Sequence, residues 1–183
     1  MRTLVVYESM FGNTRHVADA IARGLASAGT VSTVPVTRAD DEDLSGYDLV
    51  VVGGPTHVHG MSRASTRRGA VDTARTQDVT LEPDAASEGV REWLGALPRT
   101  HGKAAAFDTR ADGPVLLTGT ASKGIGRKLR RLGFELVAES ESFLVDKESR
   151  LEEGEAVRAE RWGRMLAQRA GSTRAETPSA LDE

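Results

Sequence analysis

The chain has 183 residues, with 24 basic and 27 acidic side chains and a net charge of −3. That length suffices for one domain with its own core, and the near-neutral balance offers little general attraction for nucleic acid. The absence of cysteine excludes disulfides, thiol nucleophiles, thiolate metal sites and cysteine-held iron–sulfur clusters, and suits a reducing compartment. No apolar run approaches the ~20 residues that span a bilayer. The N-terminus carries no signal-peptide pattern. A soluble, cytoplasmic protein is the expectation.

Leu4 to Tyr7 is a short, largely β-branched apolar run, which predicts a buried strand. Ser9-Met10-Phe11-Gly12-Asn13-Thr14 follows. Beyond it Val17, Ala18, Ile21, Ala22 and Leu25 recur at helical steps of three and four. The first N–H groups of a helix lack partners within it, and the helix dipole adds positive character there. A tight polar turn at that end can close around a phosphate. Gly12 can adopt backbone angles other residues resist. Ser9 and Thr14 offer hydroxyls, Asn13 offers an amide, and no acidic residue follows Glu8 within the turn. The same turn would also serve as a plain connection, with Asn13 or Thr14 as N-cap.

Val31 to Val36 alternates apolar and polar, which predicts an edge strand that tolerates Pro35. Thr37–Ser45 is acidic and short, and reads as a solvated connection rather than a second helix. Tyr47–Gly53 carries the strongest strand signal, a near-continuous apolar run suited to a central parallel strand. It leads into Gly53-Gly54-Pro55-Thr56-His57-Val58-His59-Gly60-Met61. In open α/β sheets, ligands bind beyond the carboxyl ends of strands where the strand order reverses.

Together the turn after the first strand and the Gly-Gly-Pro-Thr stretch after the third resemble the flavodoxin family. The first matches its hydroxyl-x-x-Gly-x-Thr phosphate loop and the second its second flavin loop. With weaker signals the resemblance extends to about Ala170. It implies a doubly wound three-layer α/β sandwich with a five-stranded parallel sheet in the order 2-1-3-4-5. It also implies flavin mononucleotide (FMN) as cofactor, with the phosphate on Ser9, Met10, Phe11, Gly12, Asn13 and Thr14. The ring would lie between the second loop (Pro55, Thr56, His57, Val58, His59, Gly60, Met61) and a third loop at Asp108, Thr109 and Arg110.

Two departures from the family stand out. Many flavodoxins stack Trp or Tyr on the flavin, but only 4% of this chain is aromatic, and Trp93 and Trp162 fall in predicted helices. His57, Val58, His59 and Met61 remain to cover the ring. The surface is also less acidic than that of typical electron carriers. His57 and His59 alone, without cysteine or a nearby carboxylate, make a thin metal site.

Residues 62–88 show no clear periodicity, basic first and acidic later, and read as a polar insertion or lid loop, part of which could be a short helix. Ala86–Leu97 predicts a helix ended by Pro98. Lys103–Phe107 predicts the fourth strand, with Asp108-Thr109-Arg110 as the loop after it. Gly119–Gly126 matches neither a Rossmann fingerprint nor a P-loop in spacing. It leads into a helix whose Lys123, Arg127, Lys128, Arg130 and Arg131 form a solvent face or a docking face for an acidic partner. Phe134–Ala138 and Ser142–Val145 predict a broken fifth strand, and Glu152–Ala170 a last helix. Residues 1–170 thus form one domain, and 171–183 predict a disordered tail.

The resemblance implies an FMN-dependent oxidoreductase or electron-transfer protein. Its partner would be an unidentified redox protein or a small acceptor. The mild charge, the missing aromatic stack and Arg110, a cation that would favour reduced flavin, point toward reduction of a quinone-like acceptor. The alternative is a flavodoxin-like scaffold without flavin that acts by protein contact. A hydrolase has no support, because no nucleophile elbow is present.

Overall fold

The computed structural model describes residues 1–77, 80–146 and 148–172, the side chains at 73 and 75–77 excepted. In chain order the elements are β1 (Arg2–Tyr7), α1 (Asn13–Leu25), β2 (Thr30–Pro35), β3 (Leu49–His57), β4 (Gly60–Met61), α2 (Ala64–Gln77), α3 (Val90–Ala96), β5 (Gly102–Ala111), α4 (Val115–Thr118), α5 (Ala121–Leu132), β6 (Phe134–Leu136), β7 (Glu141–Val145) and α6 (Glu155–Ser172).

The parallel strands run β2-β1-β3-β5-β6, which is the expected 2-1-3-4-5 order. β4 folds back antiparallel on β3. β6 and β7 both pair with β5 and form one broken fifth strand. From Ala104 to Phe107 the step is three residues, while their partners Leu136 and Glu141 are five apart, so the break inserts two residues.

Side chains alternate across a strand, and this splits the core in two. Val5, Val51, Ala105 and Phe107 face α1 and α6. Leu4, Val6, Val50, Val52, Ala104 and Ala106 face α3 and α5. On the first side Phe107, Phe143 and Trp162 meet edge to face, with centroids 6.2–6.4 Å apart. Gly53 is part of this packing. A Cβ there would stand 2.1 Å from Cζ of Phe107, so only glycine lets that ring lie flat on β3.

Several expectations need correction. The Tyr47 strand starts at Leu49. The acidic connection forms two 3-10 turns, Val36–Asp41 and Leu44–Gly46. The 62–88 insertion holds a fourteen-residue helix, α2. The helix expected from Ala86 starts at Val90. The expected tail begins inside α6, which runs to Ser172; residues 173–183 lie outside the described residues.

Candidate functional site

The carboxyl ends of β1, β3 and β5 open into one cleft. Met10, Phe11, Asn13 and Thr14 line it from the first turn. Pro55, Thr56 and His57 come from β3, Thr109, Arg110 and Ala111 from β5, and Val145 and Ser149 close the far side. It holds about 200 Å³, less than the roughly 300–1,000 Å³ of enclosed ligand pockets. The cleft is therefore a shallow seat open to solvent.

Gly12 is the N-cap of α1 at φ 87°, in the left-handed region that glycine enters without strain. Ser9 Oγ accepts from the N–H of Gly12 (3.1 Å) and of Arg15 (3.4 Å), which holds the turn closed on itself. Among the described residues nothing accepts from the N–H groups of Met10, Phe11, Asn13 and Thr14. Free donors in the turn and at the first positions of α1, where the dipole is positive, suit an anion.

The side chains of the turn are less free than the sequence suggests. Asn13 Nδ2 donates to Ser149 O (2.6 Å), and Asn13 Oδ1 accepts from Leu151 N (3.0 Å). Its amide is thus spent on clamping the chain after β7. Thr14 and Thr109 bond hydroxyl to hydroxyl. An acidic residue does reach the turn. The Glu82 N–H donates to Met10 O (2.8 Å), and its carboxylate lies against Gly12, where Arg15 Nε neutralises it at 2.9 Å.

The second loop is a hairpin. Gly53 and Gly54 still belong to β3, and Val58 and His59 turn the chain back into β4. Both turn residues have positive φ, 45° and 69°. Such two-residue turns normally use Asn-Gly, and a β-branched valine there is strained. Of the four residues expected over the ring, only His57 lines the cleft. Val58 and His59 point outward, and Met61 is buried in the core beside Gly124. Burial and the nearby Arg67 charge lower the His57 pKa and so favour its neutral imidazole.

The third loop is not a loop. β5 continues through Asp108, Thr109, Arg110 and Ala111 because β7 pairs with it as far as Val145. The alternation of the strand then sends neighbours to opposite faces. Thr109 meets Thr14 of α1. Asp108 is fully buried toward α5 and does not line the cleft. Its Oδ2 accepts from Ser122 N (2.7 Å), Thr120 Oγ1 (2.7 Å) and Thr56 Oγ1 (3.1 Å), while Thr56 Oγ1 accepts from Ala121 N (2.8 Å). Asp108 and Thr56 therefore cap α5, and a carboxylate suits that positive end. Arg110 lines the cleft. Its Nη1 donates to Gly113 O, Ala111 O and Thr118 Oγ1, and its Nε is buried without a partner among the described residues.

A buried network that sequence periodicity could not disclose supports the cleft from behind. Glu8 accepts from Ser62 Oγ and from Val90 N (2.9 Å). Arg67, also buried, donates to Ser62 Oγ (2.8 Å) and Glu92 (3.1 Å). Arg91 donates to Met61 O (2.7 Å) and Ser62 O (2.8 Å). Together these bonds fasten the hairpin exit and α2 to β1 and α3. Burial raises the Glu8 pKa against the opposing pull of its donors.

Fold and cleft define a doubly wound α/β protein with a turn of unpartnered N–H donors at its switch point. The flavodoxin sequence profile matches residues 5–96, half of the chain, and the chain belongs to the flavodoxin family. The cofactor of that family is FMN. No curated protein sequence matches the chain. Among solved structures it is similar to flavodoxin 2 from Bacillus cereus, at 22% identity and a TM-score of 0.62, with 92% of this chain and 99% of that one covered. An archaeal flavodoxin matches at 19% identity and a TM-score of 0.61, over 93% and 99%. Rubredoxin:oxygen oxidoreductase from Desulfovibrio gigas matches at 17% and 0.62, over 95% of this chain but 37% of that one. Identities this low show the shared fold alone. Among the described residues no helix is long and apolar enough to cross a membrane.

Proposed function

We propose that the chain binds FMN in this cleft and passes electrons to a redox partner or a small acceptor, a quinone-like acceptor being the favoured form. The observation that carries the reading is the set of four N–H groups, at Met10, Phe11, Asn13 and Thr14, that have no partner among the described residues and belong to residues lining the cleft beside the N-terminus of α1. Those donors fit a phosphate dianion.

The bound flavin would supply the redox chemistry, and the residues around it would bind, orient and bias. The Thr14 hydroxyl would exchange its Thr109 partner for phosphate. Phe11 and His57 offer flat walls for a ring. Phe11 stands where the family pattern leaves an open position, so a phenyl ring of the site lies in the phosphate turn, with the His57 imidazole in the second loop. Arg110 holds positive charge at the cleft wall, which favours a group that gains electrons there. The shallow cleft leaves a bound ring open to a flat acceptor. A cytoplasmic setting accords with the absence of cysteine.

The test is an absorbance spectrum of the purified chain before and after FMN addition and desalting, followed by menadione reduction with the loaded protein. A retained yellow band that reductant bleaches, and menadione turnover, support the reading. A colourless protein that releases all added flavin removes it and leaves the contact-based scaffold.

A further inference from the structure

We propose that the face formed by the Val58 turn, α4 and α5 docks on an anionic lipid surface. This deepens the proposed function only in setting the cleft beside that surface.

The first observation is apolar exposure concentrated at one place. Val58 is 80% exposed, Leu116 90%, Leu117 69% and Val115 44%. They come from two segments that the fold brings together, because His59 bridges to Gly119. Val58 sits at the turn tip in a strained left-handed conformation. A strained, exposed valine in place of the usual Asn-Gly points to use of that side chain.

The second observation is charge. From Gly113 to Gly133 the chain has five basic residues and no acidic one, although the whole chain is at −3. Lys128 turns toward α3 and bonds to Arg91 O. Lys123, Arg127, Arg130 and Arg131 are exposed, and among the described residues none of them pairs with a carboxylate. Three of them share an open groove with Val115 and Leu116. Glu139 is the one acidic residue lining the same groove, against Lys123, Arg127 and Arg130, so the groove remains positive. Acidic side chains gather across the sheet, at 40–43 beyond β2 and at Asp84, which Thr37 holds there (2.8 Å). The α5 face is thus a local basic surface suited to a negative partner.

The type of residue selects lipid over protein. Hot spots between proteins favour Trp and Tyr over Leu and Val, and the patch has no aromatic residue. Protruding aliphatic side chains beside unpaired Lys and Arg instead match an interfacial membrane contact, where apolar tips enter the headgroup boundary and cations meet anionic lipid. The face also borders the cleft, since Arg110 lines the cleft and bonds the loop that carries α4.

The test is sedimentation of the full chain with vesicles of phosphatidylcholine containing about 30% phosphatidylglycerol, and with phosphatidylcholine alone, at about 0.1 M salt. Partition into the anionic vesicles should exceed that into neutral ones at least ~tenfold. The triple variant Arg127→Glu, Arg130→Glu, Arg131→Glu should lose the difference. Leu116→Ser with Leu117→Ser should weaken binding several-fold at unchanged net charge. These positions are exposed, and a melting curve verifies folding. Equal binding of wild type and both variants overturns the proposal. So does no binding to anionic vesicles, whether the protein stays monomeric or pairs with a second copy in light scattering. Flavin absorbance is read in the same samples. Vesicle binding without flavin retains the docking face and fails the cofactor reading, and flavin without vesicle binding does the reverse.

Discussion

The hydroxyls of Thr14 and Thr109 lie 2.7 Å apart, joining residues 95 positions distant at the floor of the cleft. Each hydroxyl satisfies the other, so neither is left unpaired in the protein alone. If the Thr14 hydroxyl turns to a phosphate on binding, Thr14→Ala should weaken FMN by roughly 1–3 kcal/mol, the range for a charged hydrogen bond. Thr109→Val should leave FMN affinity nearly unchanged while lowering stability by about 1–3 kcal/mol, because the buried Thr14 hydroxyl loses its partner. Fluorescence titration and urea unfolding separate the two. Equal affinity losses in both variants would contradict the exchange of partners.

Asp108 acts on α5 and not on the ligand. Asp108→Ala removes one acceptor from Ser122 N, Thr120 Oγ1 and Thr56 Oγ1, and should destabilise the protein by about 2–3 kcal/mol. Near-wild-type FMN affinity in the folded variant is the expected companion result. Lost affinity at unchanged stability would instead put the carboxylate against the cofactor.

Glu8 supplies a pH signature. Its folded pKa is raised above the unfolded value by burial, so the ionised form is the less favoured one in the fold. Its contribution to stability then declines as pH rises from the unfolded value through the folded one. The stability of wild type minus that of Glu8→Gln should therefore fall over that window. Denaturant melts at stepped pH read this difference directly; a flat difference would mean the bonds from Ser62 and Val90 cancel desolvation, and a rising one that they outweigh it.

Arg110 should bias the potential of the bound cofactor. Arg110→Met removes the cleft's positive charge while retaining much of the side chain's length, and the midpoint potential in a redox titration should become more negative. An unchanged potential would confine Arg110 to bracing the 111–118 loop.

The Val58 turn can be relieved. Replacing Val58-His59 with Asn-Gly puts residues suited to positive φ into the turn, and should raise stability by about 1 kcal/mol or more. A drop in stability would show that the outward side chains support the hairpin.

Local pattern determined the parts of this protein that repeat with a regular period or recur as a short motif. The apolar runs at Leu4–Tyr7 and Leu49–Val52 specify buried strands, and Val17, Ile21 and Leu25 specify a helix, because periodicity alone selects which face is covered. The Ser9–Thr14 turn and the Gly-Gly-Pro-Thr stretch were sufficient to place the family and its cofactor. Only the tertiary structure decided which side chains serve the cleft. Asp108 reads as a loop residue until β7 extends β5 past it, and strand parity then turns it to the α5 N-terminus. Asn13 offers an amide until Ser149 and Leu151 consume it from 136 and 138 residues away. Glu8 and Arg67 are charged residues whose burial becomes legible only when both bond to Ser62, and Glu8 also to Val90 and Arg67 to Glu92. The physical reason is common to all three. A period along the chain reports exposure of one element, whereas a hydrogen bond between distant residues exists only once the sheet order has set their neighbours.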